Sequence, residues 1–201
     1  MNRPQLTRGY GFLEEFLARK RAKVANSLIP ASHRKGCILD IGCGTYPFFL
    51  TNTDFHIRYG LDRVEQQSIE DFSGSVITII NHDLNKENTV PFKSDFFDIV
   101  TMLAVLEHLE PSNLQKILKE IYRVLTPRGI YIITTPAAWT DWLLGQMARL
   151  KIVSPVEIDD HKDIYDPLKI ISLLEEAGFN RKEIKFGYFE IFMNIWVTAT
   201  K

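Results

Sequence analysis

Apolar residues recur along the chain in short blocks that alternate between two kinds of spacing. Continuous apolar runs predict buried strands at residues 37–41, 57–62, 76–80, 97–102 and 129–134. Apolar residues at helical spacing predict helices at about 10–28, 113–125 and 167–177. Strands that alternate with helices are typical of an α/β fold with a doubly wound, mostly parallel sheet.

Capping and turn residues predict where several of these elements begin and end. Ser112 and Gln115 have the spacing of a capping box. Asp166 and Pro167 predict the N-cap and first turn of the last helix, and Gly178 predicts its end. Two β-rich runs at about 181–188 and 190–200 follow with little chain between them, so they predict an antiparallel hairpin at the sheet edge.

Composition and charge narrow the class of protein. A chain of 201 residues suits a single domain. With 24 Lys and Arg against 25 Asp and Glu, the net charge of −1 gives no electrostatic reason to expect a nucleic-acid partner. The two cysteines, Cys37 and Cys43, lie in one short segment, which favours a reducing cytoplasm over a disulfide framework. No apolar run approaches the roughly 20 residues of a membrane-spanning helix.

The first predicted strand ends in the turn Gly42-Cys43-Gly44. Glycines at the carboxyl end of such a strand let the backbone approach a ligand closely. Asp62 ends the second strand, where a carboxylate can accept both ribose hydroxyls of an adenosine. These features permit a dinucleotide or a phosphate-free adenosine ligand. Pro47 occupies the third-glycine position of the dinucleotide fingerprint and argues against a pyrophosphate site.

The order and spacing of several motifs resemble those of the class I (Rossmann-like) S-adenosylmethionine (SAM)-dependent methyltransferases, particularly the group that acts largely on small molecules. The matching segments are residues 39–44, 60–62, 81–84, 91–92, 96–100, 105–109, 121–129 and 175–179. The resemblance implies a seven-stranded, mostly parallel sheet that ends in an antiparallel hairpin. It also implies SAM as the cofactor.

The resemblance implies roles for the residues of the glycine turn and the second strand. The turn from Gly42 to Gly44 is expected to pack against the methionine part of SAM. Asp40 is expected to orient the methionine amino group, partly through water. Asp62, with Arg63 beside it, is expected to hold the ribose hydroxyls.

Two later segments complete the implied cofactor site. Asp83 resembles the acidic residue that accepts from the adenine amino group, and Leu84 is expected to add a backbone contact. The alternative for Asp83 is a turn-forming role. Ala104 and Leu106 follow the fourth strand and are expected to line the pocket near the methyl group.

Two histidines are the candidates for a catalytic base. His108 lies in a segment that is a common signature of this group. It can accept a proton from an acceptor hydroxyl, or it can only position its loop. The resemblance places His161 near the acceptor. Asp159, Asp160 and His161 do not predict a metal site, because adjacent residues on an extended chain point to opposite sides.

The sequence therefore predicts one methyltransferase domain over residues 1–201 that methylates a small-molecule acceptor. Residues 1–30 are expected to form an N-terminal helical cap, and residues 137–162 an insertion near the acceptor site. Trp139 and Trp142 in that insertion are read as core first, as a lid second and as a membrane-contacting surface third. The alternatives are a non-catalytic SAM-binding partner protein and an NAD-dependent oxidoreductase. Acceptor identity, the atom methylated and the oligomeric state stay open.

Overall fold

The chain forms an eight-stranded sheet flanked by helices, and the computed structural model describes residues 12–64, 67–70, 76–137 and 165–201. The strands are β1 (Cys37–Ile41), β2 (Ile57–Asp62), β3 (Gln67–Glu70), β4 (Val76–Asn81), β5 (Phe97–Leu103), β6 (Leu125–Pro136), β7 (Ile184–Phe189) and β8 (Asn194–Thr200). The helices are α1 (Phe12–Leu28), α2 (Phe48–Thr51), α3 (Leu84–Glu87), α4 (Pro111–Val124) and α5 (Pro167–Ala177).

The strand order is β3-β4-β2-β1-β5-β6-β8-β7. The five central strands β4, β2, β1, β5 and β6 are parallel. The chain proceeds outward from β1 through β2 to β4 and then returns to β5 on the other side of β1. The carboxyl ends of β1 and β5 therefore form the topological switch point, where open sheets of this kind bind ligands. The predicted α/β fold class is confirmed.

The two edges of the sheet are antiparallel. The predicted C-terminal hairpin is confirmed as β7 and β8, which pair with each other and with β6. At the opposite edge β3 pairs antiparallel with β4 and adds one strand to the seven expected. The strand at residues 67–70 was not predicted, because four residues carry too little periodicity to identify one.

Each face of the sheet buries its own apolar layer. On one face, residues such as Leu39 and Val100 pack with Ile117 of α4 and Leu174 of α5. On the other face, Ile38, Ile99 and Ile132 pack with alanines of α1. Alternate residues of each strand enter opposite layers, as the pleat requires. The site at the carboxyl ends is therefore supported from both sides.

The ends of two elements differ from their predictions. The capping box of Ser112 and Gln115 is wrong, because α4 begins two residues earlier than predicted, with Glu110 as N-cap and Pro111 in its first turn. Proline suits that position because it has no N–H to leave unpaired. Strand β6 starts at Leu125, directly after α4, and is longer than predicted. The predicted cap of α5 is confirmed, since the Asp166 carboxylate accepts from Lys169 N at 2.9 Å.

Parts of the predicted domain organisation lie outside the described residues. These parts are residues 1–11 of the expected N-terminal cap and residues 138–162 of the expected insertion, with Trp139, Trp142 and His161. Both remain predictions. In the part of the chain that the structure describes, no helix is long and apolar enough to cross a membrane.

The glycine turn after β1 depends on the absence of a side chain in β2. Gly60 pairs with Asp40 in the β1–β2 register. A Cβ atom at Gly60 would lie 2.6 Å from Cys43 Sγ, which is closer than real atoms pack. The buried Cys43 side chain therefore fills the space that Gly60 leaves open.

We expect Gly60→Ala to destabilise the protein by about 1–3 kcal/mol, because the added methyl group overpacks the Cys43 thiol. In a Cys43→Ala background the same change should cost less, since the clashing sulfur is gone. Chemical denaturation of the four proteins of this double-mutant cycle measures the coupling. An equal cost of Gly60→Ala in both backgrounds would contradict this packing.

Candidate active site

The turn after β1 has a backbone that glycine favours. Gly42 and Gly44 have φ values of 77° and 72°, in the left-handed region. The Gly42 N–H donates to the Leu61 carbonyl at 2.7 Å, which holds the turn against β2. A Cβ at Gly42 would collide with the side chain of Val105. The turn is therefore enclosed between the ends of β2 and β5.

Asp62 connects the turn to the end of β2. Its Oδ2 accepts from Gly44 N at 2.8 Å and its Oδ1 accepts from Arg63 N at 2.6 Å. A carboxylate has about four acceptor positions, so it can hold a backbone turn and also accept from ligand hydroxyls. The chemistry of Asp62 fits the ribose of SAM in this respect.

Asp40 is a buried carboxyl group beside the turn. Its Oδ1 accepts from the Thr101 hydroxyl at 2.6 Å. Burial raises the pKa of Asp40 to about 7, the Thr101 hydrogen bond lowers it and the nearby Asp62 charge raises it. The contribution of Asp40 to the stability of the fold is fully present below its ordinary pKa of 3.8. This contribution is lost as the pH rises through about 7. A cationic ligand group would favour the charged carboxylate.

Cys43 contributes its backbone and not its thiol to the surface of the turn. Its side chain is buried and faces Gly60. Burial, followed by the charges of Asp40 and Asp62, raises the pKa of the thiol well above its ordinary value. The thiol is therefore neutral and is no nucleophile.

The segment after β4 is the expected adenine side of the site. Asp83 is the N-cap of α3, and its Oδ1 accepts from Asn85 N at 3.1 Å. Its Oδ2 lies 3.7 Å from Lys86 Nζ. The turn-forming role of Asp83 is thus present, and its contact with adenine stays a prediction. Leu84 is the first residue of α3 and is buried.

The segment after β5 is the expected methyl side. Ala104 has a φ of 57°, and its N–H donates to Thr134 O of β6 at 2.8 Å. A 3₁₀ turn, Leu106–His108, follows and buries Leu106. His108 lies at the end of this turn and is partly buried. Its role as a base or a positioning residue stays a prediction, as does the role of His161.

Asn85 joins the adenine side to the methyl side. Its Nδ2 donates to His108 O at 3.3 Å, and its Oδ1 accepts from Glu110 N at 2.9 Å. These bonds connect α3 to the 3₁₀ turn and to the start of α4. Sequence reasoning missed Asn85, since nothing in its neighbourhood distinguishes it from a solvated helix residue.

Two further polar residues of the site, Thr101 and Thr135, were missed, and the contact that Glu107 makes was not predicted. Thr101 positions the Asp40 carboxyl, and a hydroxyl residue within the apolar fourth strand was the signal for it. Glu107 is buried and accepts from the Thr135 hydroxyl at 3.1 Å, which ties the 3₁₀ turn to the end of β6.

Across residues 12–64, 67–70, 76–137 and 165–201, no group of three or more His, Cys, Asp or Glu residues is arranged to hold a metal ion.

The known family and the curated proteins to which this chain is similar are methyltransferases. A family model described as a methyltransferase domain matches residues 11–183. The chain is 27% identical over 133 residues to the tRNA N(3)-cytidine methyltransferase METTL2 of Gallus gallus, a match that covers 61% of this chain and 36% of that protein. The METTL2 protein of Mus musculus is 24% identical over 134 residues, with 60% and 34% covered. The chain thus spans about a third of the length of these relatives.

Solved structures share the fold. A SAM-dependent methyltransferase from Archaeoglobus fulgidus superposes with a TM-score of 0.66 at 19% identity, covering 94% of each chain. A chain from the complex of the Haloferax volcanii Trm112 methyltransferase activator with its methyltransferase gives a TM-score of 0.67 at 12% identity, covering 94% of this chain and 93% of that chain. At these identities the likeness shows the fold alone.

The family match covers most of the chain, and the glycine turn and Asp62 occupy the positions that the resemblance implied. The NAD-dependent alternative receives no support from these comparisons. The chain therefore belongs to the methyltransferase-domain family, and its fold is that of the class I SAM-dependent methyltransferases.

Proposed function

We propose that this chain transfers a methyl group from SAM to a small-molecule acceptor. The observation that carries the proposal is the glycine turn after β1, which the Asp62 carboxylate holds at 2.8 Å beside the buried Asp40. This arrangement combines a glycine turn, a carboxylate that can accept several hydrogen bonds and a buried acid at one sheet edge. Each part matches a different portion of SAM.

SAM supplies an activated methyl group: the acceptor lone pair bonds to the methyl carbon, the carbon–sulfur bond breaks towards sulfur, and the acceptor loses a proton. The chain's own residues then have to bind and align. Alignment alone can supply a large part of the rate enhancement of such a two-reactant step. The enclosed turn, fixed to Leu61 and Asp62, is suited to that task.

A base is needed only if the acceptor atom starts protonated. We propose His108 and His161 as its candidates, as the resemblance implies. His108 follows β5, and its backbone is held by Asn85. An imidazole with an ordinary pKa near neutrality is suited to take a proton at physiological pH.

The second candidate acceptor is a nucleobase in RNA. The observation that favours it is the match to the two METTL2 proteins, which are tRNA N(3)-cytidine methyltransferases. The match covers about a third of those proteins, and this chain has a net charge of −1, which offers little general attraction for phosphates. These two facts favour the small-molecule acceptor. A partner subunit, as in the Haloferax complex, would change this balance by adding its own charge.

We expect Asp62→Asn to weaken SAM binding at least tenfold, because an amide cannot accept from both ribose hydroxyls and Gly44 N. Asp62→Ala should weaken it further, since the turn also loses its tether. Calorimetric titration with SAM and with S-adenosylhomocysteine measures both. Asp54→Asn, an exposed acid before β2, is the matched control and should bind like the wild type. Unchanged affinity in both Asp62 variants, with folding intact, would refute the assignment.

We expect SAM binding to release a proton near pH 7. In the free protein the Asp40 carboxyl has a pKa of about 7, and the SAM ammonium group would favour its charged form. Affinity should therefore fall by up to about tenfold per pH unit below about 7 and level off above it. Calorimetry in two buffers of different ionisation enthalpy counts the protons released. Asp40→Asn should remove both effects, and a pH-independent wild type would contradict the role of Asp40.

The acceptor class is tested directly with SAM that carries a radioactive methyl group. The full chain is incubated with fractionated small-molecule extract, with total tRNA, or with neither. Label in a small-molecule fraction, absent from an Asp62→Ala reaction, is the expected result. Label in tRNA alone would replace the small-molecule proposal by the RNA one. SAM binding without transfer to either would favour the non-catalytic binding protein.

A further inference from the structure

Buried polar side chains form a diagonal strip on the sheet face that α1 covers. Near the amino ends of the strands this face is apolar, with Ile38, Ile99 and Ile132 fully buried. Two residues further along each strand the same face carries a polar side chain. The strip consists of Asp40 on β1, Thr101 on β5, Thr134 on β6, and Asn194 at the start of β8, with Glu190 just before it.

The strand pairing places these residues next to each other. Thr101 is directly opposite Asp40. In β6, Thr101 pairs with Ile132, and Thr134 lies two residues beyond Ile132 towards the carboxyl end of the strand. Thr134 is opposite Trp196 and Pro136 is opposite Asn194, so Asn194 is the diagonal neighbour of Thr134 on the same face. Diagonal neighbours have Cα atoms about 7–8 Å apart. The strip therefore runs from Asp40, on the expected methionine side, towards the β7–β8 hairpin.

One side-chain hydrogen bond is formed at each end of the strip. Thr101 donates to Asp40 at 2.6 Å, and Asn194 Nδ2 donates to Glu190 Oε2 at 2.6 Å. Between these pairs, Thr134 is fully buried, and its hydroxyl has no hydrogen-bond partner among the described residues. Glu190 Oε1 is also buried and has none within the same part of the chain. Buried polar atoms in native proteins are nearly always bonded, so these two oxygens need an explanation.

Charge at the hairpin end limits what can satisfy these atoms. Burial raises the pKa of Glu190, and Arg21 and Lys20 of α1 lower it. A carboxylate oxygen only accepts hydrogen bonds, whereas the Thr134 hydroxyl both donates and accepts. An amino group offers two or more N–H donors and can bond to both oxygens. A carboxylate ligand would leave Glu190 unsatisfied and repel it. A single hydroxyl can donate to Glu190 and accept from Thr134, but it lacks the positive charge by which a protonated amine complements the carboxylate.

We propose that the hairpin end of this strip is the acceptor subsite, in which Thr134 and Glu190 bind an amino group of the methyl acceptor. The inference rests on the proposed function, and it names the acceptor as a small amine. The carboxyl end of β6 and the amino end of β8 adjoin the segment after β5, which is joined to β6 by the bond from Ala104 N to Thr134 O. An amine bound there lies next to the expected methyl side of the cofactor site.

The test uses the full chain saturated with S-adenosylhomocysteine, so that no turnover occurs. A panel of small primary amines is matched with alcohols and carboxylates of the same skeleton, and binding is read by thermal shift and then by calorimetry. We expect hits among the amines. Thr134→Val should weaken them about tenfold, and Glu190→Gln should weaken them between about tenfold and a hundredfold, since the charged bond is stronger. Thr134→Ser, which keeps the hydroxyl, should restore affinity.

Thr198→Val, lower on the same face of β8, and Glu183→Gln, an exposed acid before β7, are the matched controls. Neither should change amine affinity. Hits that favour alcohols or carboxylates, amine hits that ignore both strip variants, or an absence of amine hits would overturn the subsite. If the wild-type chain does not bind S-adenosylhomocysteine, the proposed function is refuted instead. Failure of the subsite and failure of the proposed function are therefore distinguishable.

Discussion

The hydrogen bond from Gly44 N to the Asp62 carboxylate is the interaction on which the site depends. It ties the turn after β1 to the end of β2, so that two separate strands present one surface. The left-handed backbone of Gly42 and Gly44 makes the bond possible, and Gly60 leaves room beneath it for Cys43. Each of these small features constrains the next, which explains why glycine, aspartate and cysteine occur so close together.

A second set of contacts assembles the remainder of the site across the switch point of the sheet. Thr101 fixes Asp40 from β5, Asn85 joins α3 to the 3₁₀ turn, and Glu107 bonds to Thr135 at the end of β6. All three contacts connect segments that are more than twenty residues apart along the chain. They make the carboxyl edge of the sheet a single rigid frame, which is what alignment of two reactants requires.

The polar strip divides the sheet face under α1 into two parts. The apolar part of this face forms the core with α1, and the polar part lies where a ligand is expected. Burying Asp40, Thr134 and Glu190 costs free energy that an apolar core would not incur. A protein retains such groups where they have a function, and the proposed binding of the cofactor and of an amine would supply one here.

The sequence by itself determined the α/β class, the order of the elements, the cap of α5 and the positions of Asp40, Gly42 and Asp62. These features follow from periodicity, turn chemistry and motif order, which are local properties. The tertiary structure alone decided the additional edge strand β3, the start of α4 at Pro111 and the partners of Asp40 and Asn85. Those depend on contacts between distant segments, and a side chain that bonds across the sheet leaves no local pattern that distinguishes it from a solvated one.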